Sequence, residues 1–480
     1  MPGVPSSRGC KACRVQKKKC DQKHPACSRC SRLEIPCVER GQQRFKFVEQ
    51  GPQAPNQVAR RLAAGRKVTV VVPDLSNQTD HIRNSFIDAF RVSKLGYQFE
   101  LVGGSLFPEI PKRLGSNDAL DQSASALVGA YKYITTGEGE REAQEKYGMA
   151  LRTLRVTLQN LKQGATADTL TTIWLLMLCQ NWIARSHVRY GTHSEGMCTL
   201  LNAFAETIDW QSYDNYDAQL IIASTYMVLN EQLSNPRVAV GPWLRKLAGP
   251  YGPKNYIPSE IQMIKLRKME RANKLLLDPL PDRTGMEDIY RDARSDITII
   301  KRNVTEVSAA ITDETPLESL PLNHIYTLYI YRIRYCMVLP YAILLNYSLA
   351  ALAQNDPEYQ TLPEELAFYI DEVIDTARSM TPFRPLGTET VPPVLSVAWA
   401  ASEDAVKQAQ IEAWIAEYDK DFAGANTMPV AKWCRKWIKG QREKWLAFCA
   451  GRPLEDDQTD EVTDAELEAT LGPGRKCCIL

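Results

Sequence analysis

From about residue 79 onward, apolar residues recur every three to four positions, the period of helices that bury one face. "DQSASALVGAYKYI" (121–134), "EREAQEKYGMALRTLRVTLQNL" (140–161) and "ADTLTTIWLLMLCQNWIA" (167–184) carry this pattern. So do 217–233, 258–277, 286–312, 323–353, 363–380, 405–422 and 429–448. Gly, Pro and Asn/Asp clusters separate these segments at irregular intervals, with no fixed repeat length. The short run "VTVVV" (68–72) has strand character but is too short to define a sheet. The pattern predicts a large all-α body.

The run Tyr335–Ala353 is uncharged and long enough to cross a bilayer. It also contains Pro340, Asn346, Ser348 and three tyrosines. That polarity identifies a buried core helix rather than a membrane span.

The first 50 residues do not follow the helical pattern, and charge separates them further. They carry 12 Lys/Arg against 4 Asp/Glu, a balance of +8, while the other 430 residues carry 46 against 53, a balance of −7. A small basic head on a mildly acidic body points to a polyanionic partner for the head. Six of the 13 cysteines also lie in the head. The N-terminus "MPGVPSSRGC" has no apolar stretch of the kind a secretory signal needs, so a reducing compartment is expected, and there a cysteine cluster binds metal before it forms disulfides.

Those cysteines repeat one frame twice, "CKACRVQKKKC" (10–20) and "CSRCSRLEIPC" (27–37), to give C-x2-C-x6-C-x6-C-x2-C-x6-C. A structural zinc takes four ligands. One frame supplies three and two frames supply six, so two zinc ions reach four each only if two sulfurs bridge both metals. The first frame holds five basic residues, Lys11, Arg14, Lys17, Lys18 and Lys19. The second carries Arg29 and Arg32, partly offset by Glu34.

The segment 8–40, "RGCKACRVQKKKCDQKHPACSRCSRLEIPCVER", closely resembles the fungal Zn2Cys6 binuclear zinc-cluster DNA-binding domain. The likeness rests on the cysteine spacing, the basic run before Cys20, Asp21 after it and Pro25 between the repeats. The resemblance implies two short helices around two Zn ions, with Cys10 and Cys27 bridging. One ion would take Cys10, Cys13, Cys20 and Cys27; the other would take Cys27, Cys30, Cys37 and Cys10. It also implies that a helix of the first half enters the major groove of double-stranded DNA. There Lys17 would face the guanines of a CGG-type triplet, with Arg14, Lys18 and Lys19 toward phosphates and Lys11 a further DNA-binding residue. Gln16 departs from the Lys or Arg common at its position, and glutamine pairs best with adenine N6/N7. Later segments, among them "YGMALRTLRVTLQ" and "HSEGMCTLLNAF", resemble more loosely the helical regulatory region of the same regulators.

The chain after the head lacks the coiled coil that pairs many relatives. Gly51, Pro52, Pro55 and Gly65 interrupt any heptad pattern. Arg60, Arg61, Arg66 and Lys67 suit an import signal. Residues 454–470 hold eight acidic residues among scattered Leu and Val, the composition of an acidic activation segment or a solubilising tail. Within them "DDQTD" (Asp456, Asp457, Asp460) matches a diphosphate-metal motif but lacks a helical-bundle context. The terminal "CCIL" fits a prenylation signal on Cys477.

The expected organisation is a Zn2Cys6 DNA-binding domain at 8–40, a linker at 41–78, an all-α regulatory domain at 79–450 and an acidic tail at 451–480. The expected function is zinc-dependent, sequence-specific regulation of RNA polymerase II transcription in the nucleus, without enzymatic activity. Expected partners are DNA, a coactivator or corepressor, and a small-molecule effector lodged near 167–184 and 335–353. A membrane joins them only if Cys477 is prenylated. The competing class is a helical, lipid-tethered interaction protein whose cluster is only structural.

Overall fold

The structure, a computed structural model, describes residues 9–37 and 77–452 apart from short breaks, the longest at 184–191, 208–214 and 248–259. Every regular element among these residues is helical and none is a strand. The chain divides into two compact units, Met1–Leu75 and Ser76–Leu480. Residues 68–72, Arg60, Arg61, Arg66, Lys67, the acidic segment 454–470 and Cys477 lie outside the described residues.

The first unit contains two one-turn helices, α1 (Lys11–Val15) and α2 (Ser28–Arg32). Its core is not hydrocarbon: Cys10, Cys13, Cys27 and Cys30 form the buried centre, with Cys20, Cys37, Ala12 and Ile35 packed around them. So small a segment buries too little apolar surface to hold itself together without a staple such as a metal.

The second unit begins with α3 (Gln78–Ala89) and the short α4 (Ile110–Arg113). Then follow α5 (Asp118–Thr136), α6 (Glu140–Thr157), α7 (Ala167–Ile183), α8 (Thr192–Thr207), α9 (Asn215–Gln232) and α10 (Pro242–Leu247). The second half holds α11 (Leu266–Leu277), α12 (Arg283–Ser308), α13 (Leu322–Leu352), α14 (Leu362–Met380), α15 (Val391–Ala401), α16 (Ala405–Tyr418) and α17 (Met428–Cys449). Helix α5 packs against α3, α6 and α7. Helix α13 is the hub of the later half, contacting α12, α14, α15 and α17.

Sequence accounts for several of these boundaries. Asn117 caps α5 by accepting the N–H groups of Ala119 and Leu120 at 2.9 and 3.2 Å, and Gly137 ends it at φ 73°. Asp282 and Asp404 cap α12 and α16 in the same manner. In α7 the hydroxyls of Thr171 and Thr172 bond back to the carbonyls of Ala167 and Asp168, both at 2.8 Å. Buried threonines thus cost little on an all-round apolar helix.

Helix α13 is long and apolar enough to cross a membrane, yet 78% of its most apolar window is buried inside the body. Asn346 donates from Nδ2 to the Tyr290 hydroxyl at 2.8 Å and to the Leu362 carbonyl at 3.0 Å, as a core helix requires. Each leucine or isoleucine buried along it contributes about 1.5–3 kcal/mol.

Four predicted helices run too long, and one of them, 286–312, ends at Ser308. In the predicted helix 258–277, residues 260–265 are not helical and α11 starts at Leu266, because the N–H groups of Gln262 and Met263 turn to the Asp296 carboxylate on α12, at 2.9 and 2.6 Å. Helix α6 stops at Thr157 rather than 161. Helix α16 stops at Tyr418 and tightens into a 3₁₀ turn at Asp419–Asp421, where the Asp419 carboxylate accepts from the Thr427 N–H at 3.0 Å.

The basic tryptophan helix α17 packs into the body. Trp445 is buried and donates its indole N–H to the Asp278 carbonyl at 3.2 Å, while Trp433 and Trp437 stack within 3° of parallel against the core. Of the remaining histidines, His193 pairs with the Tyr147 hydroxyl at 2.9 Å and His324 with the Val307 carbonyl at 2.8 Å. Helices α7 and α13 supply core side chains. A surface cleft of about 310 Å³ is lined instead by α12 residues, from Ile297 to Glu306, and by Phe368.

Candidate metal centre and nucleic-acid interface

The two halves of the head are copies in backbone as well as sequence. Each short helix starts directly after a cysteine, Cys10 or Cys27. Each closes with a six-residue hydrogen bond, Lys18 N–H to the Cys13 carbonyl at 2.9 Å and Ile35 N–H to the Cys30 carbonyl at 3.1 Å. The residue before each closing donor is left-handed, Lys17 at φ 51° and Glu34 at φ 50°, the reversal that terminates a helix. Returning to the centre, Cys20 Sγ accepts from the Cys10 N–H at 3.5 Å and Cys37 Sγ from the Cys27 N–H at 3.3 Å.

This backbone brings six free thiols together. Cys10, Cys13, Cys20 and Cys27 gather their sulfurs within 4.8 Å of one another, and so do Cys10, Cys27, Cys30 and Cys37. Cys10 and Cys27 belong to both groups, with their sulfurs 3.8 Å apart. Cys10–Cys30 and Cys13–Cys27 lie at 3.6 and 3.8 Å. Four thiolates about 2.3 Å from one zinc sit roughly 3.8 Å apart. The sulfur spacing therefore fits two tetrahedra sharing the Cys10–Cys27 edge.

Electrostatics distinguish the shared thiols from their neighbours. The Cys10 thiol lies below its ordinary pKa, chiefly because the Cys13 backbone N–H bonds to it, and Cys27 is lowered in the same way by the Cys30 N–H. Burial pushes Cys13 up to about 11 and raises Cys30 further. All six donors are cysteine sulfurs. That donor set suits a soft divalent metal.

Two further residues support the cluster, and the first, Gly9, carries no signal of its own. Gly9 sits where a Cβ would lie 2.9 Å from the Cys20 Cβ, so the chain entering the first half has no room for a side chain. Asp21, part of the motif, takes the N–H of Ser28 at 3.1 Å and also its hydroxyl. Its carboxyl falls below its ordinary pKa, first through that hydroxyl, and it caps the N-terminus of α2. The His24–Pro25 peptide in the connecting loop is cis.

Lys11, Lys17, Lys18 and Lys19 are exposed, and Arg14 lies on α1. Val15 is 74% exposed at the end of that helix. Gln16 is exposed too, but its Oε1 accepts from Arg29 Nη2 of the second half at 2.6 Å. The central sulfurs are buried while Lys11, Lys17, Lys18 and Lys19 are exposed, which offers positive charge to a polyanion.

Residues 8–46 match the family described as the fungal Zn(2)-Cys(6) binuclear cluster domain. No curated protein and no solved structure matches the chain.

Proposed function

With residues 8–46 a fungal Zn2Cys6 cluster domain that binds two zinc ions, in a family of DNA-binding transcription factors, we propose that this chain is a nuclear, sequence-specific regulator of RNA polymerase II transcription. The observation that carries the reading is the pair of four-thiol groups sharing Cys10 and Cys27, with the lysines of the first half exposed beside them. One zinc is held by Cys10, Cys13, Cys20 and Cys27, the other by Cys10, Cys27, Cys30 and Cys37. Both sites are closed by thiolates, so the metals organise the fold rather than perform chemistry.

On this reading α1 enters the major groove at a CGG-like triplet. Lys17 donates to guanine O6 and N7, while Lys11, Arg14, Lys18 and Lys19 neutralise phosphates. The helical body carries regulation through a coactivator or corepressor.

Selection of bound sequences from random duplexes, with the zinc-loaded full chain at near-physiological salt, tests the proposal. An enriched CGG-like triplet supports it, and two triplets at fixed spacing add a dimer. No enrichment from a folded, zinc-loaded head would sink it and favour an interaction protein, tethered to membrane if Cys477 is prenylated.

A further inference from the structure

Gln16 and Arg29 come from opposite halves of the repeat and meet over the cluster, with Arg29 Nη2 donating to Gln16 Oε1 at 2.6 Å. A guanidinium has donors and no acceptor, so it determines which end of the amide turns toward it. The Gln16 oxygen faces Arg29, and its NH2 points elsewhere. Arg29 is half-buried, and its Nη1 is buried with no hydrogen-bond partner among the described residues, so the bond from Nη2 to Gln16 is the one its guanidinium makes there. Two zinc dications among six thiolates leave an anionic centre, beside which a guanidinium is favoured, and outer-shell donors of this kind hold a metal site's geometry.

We infer that Arg29 is a positioning residue for base reading: it locks the Gln16 amide with only donors outward, so that Gln16 selects guanine over adenine. The inference rests on the DNA-binding reading above. Bidentate pairing with adenine requires the glutamine oxygen to accept from N6 while its NH2 donates to N7. Turning both atoms to one base surrenders the charge-assisted bond to Arg29. Guanine presents N7 and O6, two acceptors that suit an outward NH2. The adenine preference expected of Gln16 from its residue type is thereby reversed. The second, less basic half of the repeat gains a role in specificity without touching DNA.

The test compares sequence preferences of the zinc-loaded full chain for wild type, Gln16→Ala, Arg29→Ala and Arg29→Lys, with bound zinc measured for each. Gln16→Ala identifies the base position that Gln16 reads. At that position wild type should favour guanine over adenine on the order of tenfold. Arg29→Ala should bring the ratio to parity or reverse it while two zinc ions remain. Arg29→Lys should fall between, because an ammonium retains the charge without the two-edged fork.

Adenine favoured by wild type at the Gln16-dependent position would overturn the inference. So would an unchanged ratio in a zinc-replete Arg29→Ala protein, or no effect of Gln16→Ala at any position. If Arg29→Ala loses zinc, the wild-type and Gln16→Ala profiles decide alone. Absence of any enriched sequence from wild type would instead refute DNA reading itself.

Discussion

Lys17 and Glu34 occupy the same place in the two halves of the head: each ends its helix in the left-handed region, at φ 51° and 50°, one residue before the closing hydrogen bond. Neither is a glycine, and each side chain adds about 1 kcal/mol of conformational cost. The backbone demand is shared, whereas the charges are opposite. Glu34→Gly should leave the head as stable or slightly more stable, with DNA affinity little changed. Lys17→Gly should retain two zinc ions but lose base preference, and its salt slope should fall by about 1 if Lys17 also contacts a phosphate. Thermal melts and salt-dependent binding separate the two. Loss of zinc in Lys17→Gly would show that the lysine is structural.

Thiol replacement probes the shared edge. Cys13→Ser or Cys30→Ser should lower bound zinc, unfold the head and abolish DNA binding, since the head has little core besides the cluster. Helical circular dichroism from the body should persist. Gly9→Ala should weaken zinc retention by about 1–3 kcal/mol, because its Cβ meets Cys20. Chelator competition measures both, and a Gly9→Ala protein that resists chelator as wild type does would contradict the close contact.

Arg384 ties the end of the body to its beginning. Its guanidinium bonds both carboxylate oxygens of Asp421 at 3.0 and 2.9 Å and Glu417 at 3.0 Å, and it lies over the Tyr418 ring. Its carbonyl fills the space where a Cβ on Gly96 would sit, 1.6 Å away. Arg384→Ala removes the guanidinium from a largely buried Asp421 and should cost about 3–5 kcal/mol. Gly96→Ala forces backbone apart and should cost at least about 3 kcal/mol. Urea midpoints test both; a change under about 0.5 kcal/mol, the scale of ordinary surface substitutions, would argue against this junction.

Two body groups give opposite pH limbs. Burial, then Glu195, pushes the Glu231 carboxyl up to about 7, from about 4.3 in an unfolded chain. Its contribution is fully present below about pH 4.3 and is lost as pH rises through about 7. Burial lowers His193 to about 4, so its contribution is present above about pH 6.5 and is lost as pH falls through about 4. Glu231→Gln should therefore raise the melting temperature at pH 8 relative to wild type, with a smaller gain at pH 5. Equal gains at both pH values would refute the assignment.

The head was legible in its sequence because metal geometry leaves few solutions: six cysteines in a doubled frame permit two tetrahedral zinc ions only by sharing sulfurs. The helical body was legible from its apolar period, and capping residues such as Asn117 and Asp404 account for helix starts within the chain itself. The tertiary structure decided what depends on residues distant in sequence. Asp296 takes the N–H groups of Gln262 and Met263 across 34 and 33 residues, which holds the start of α11 at Leu266. Gly9 has no local signature, because the atom that excludes a side chain there belongs to Cys20. Gln16 by residue type pairs with adenine, yet Arg29, 13 residues on, takes its oxygen. Periodicity and ligand count are properties of one segment and its spacing, whereas a hydrogen bond between folded-back segments exists only once the fold has brought its donor and acceptor together.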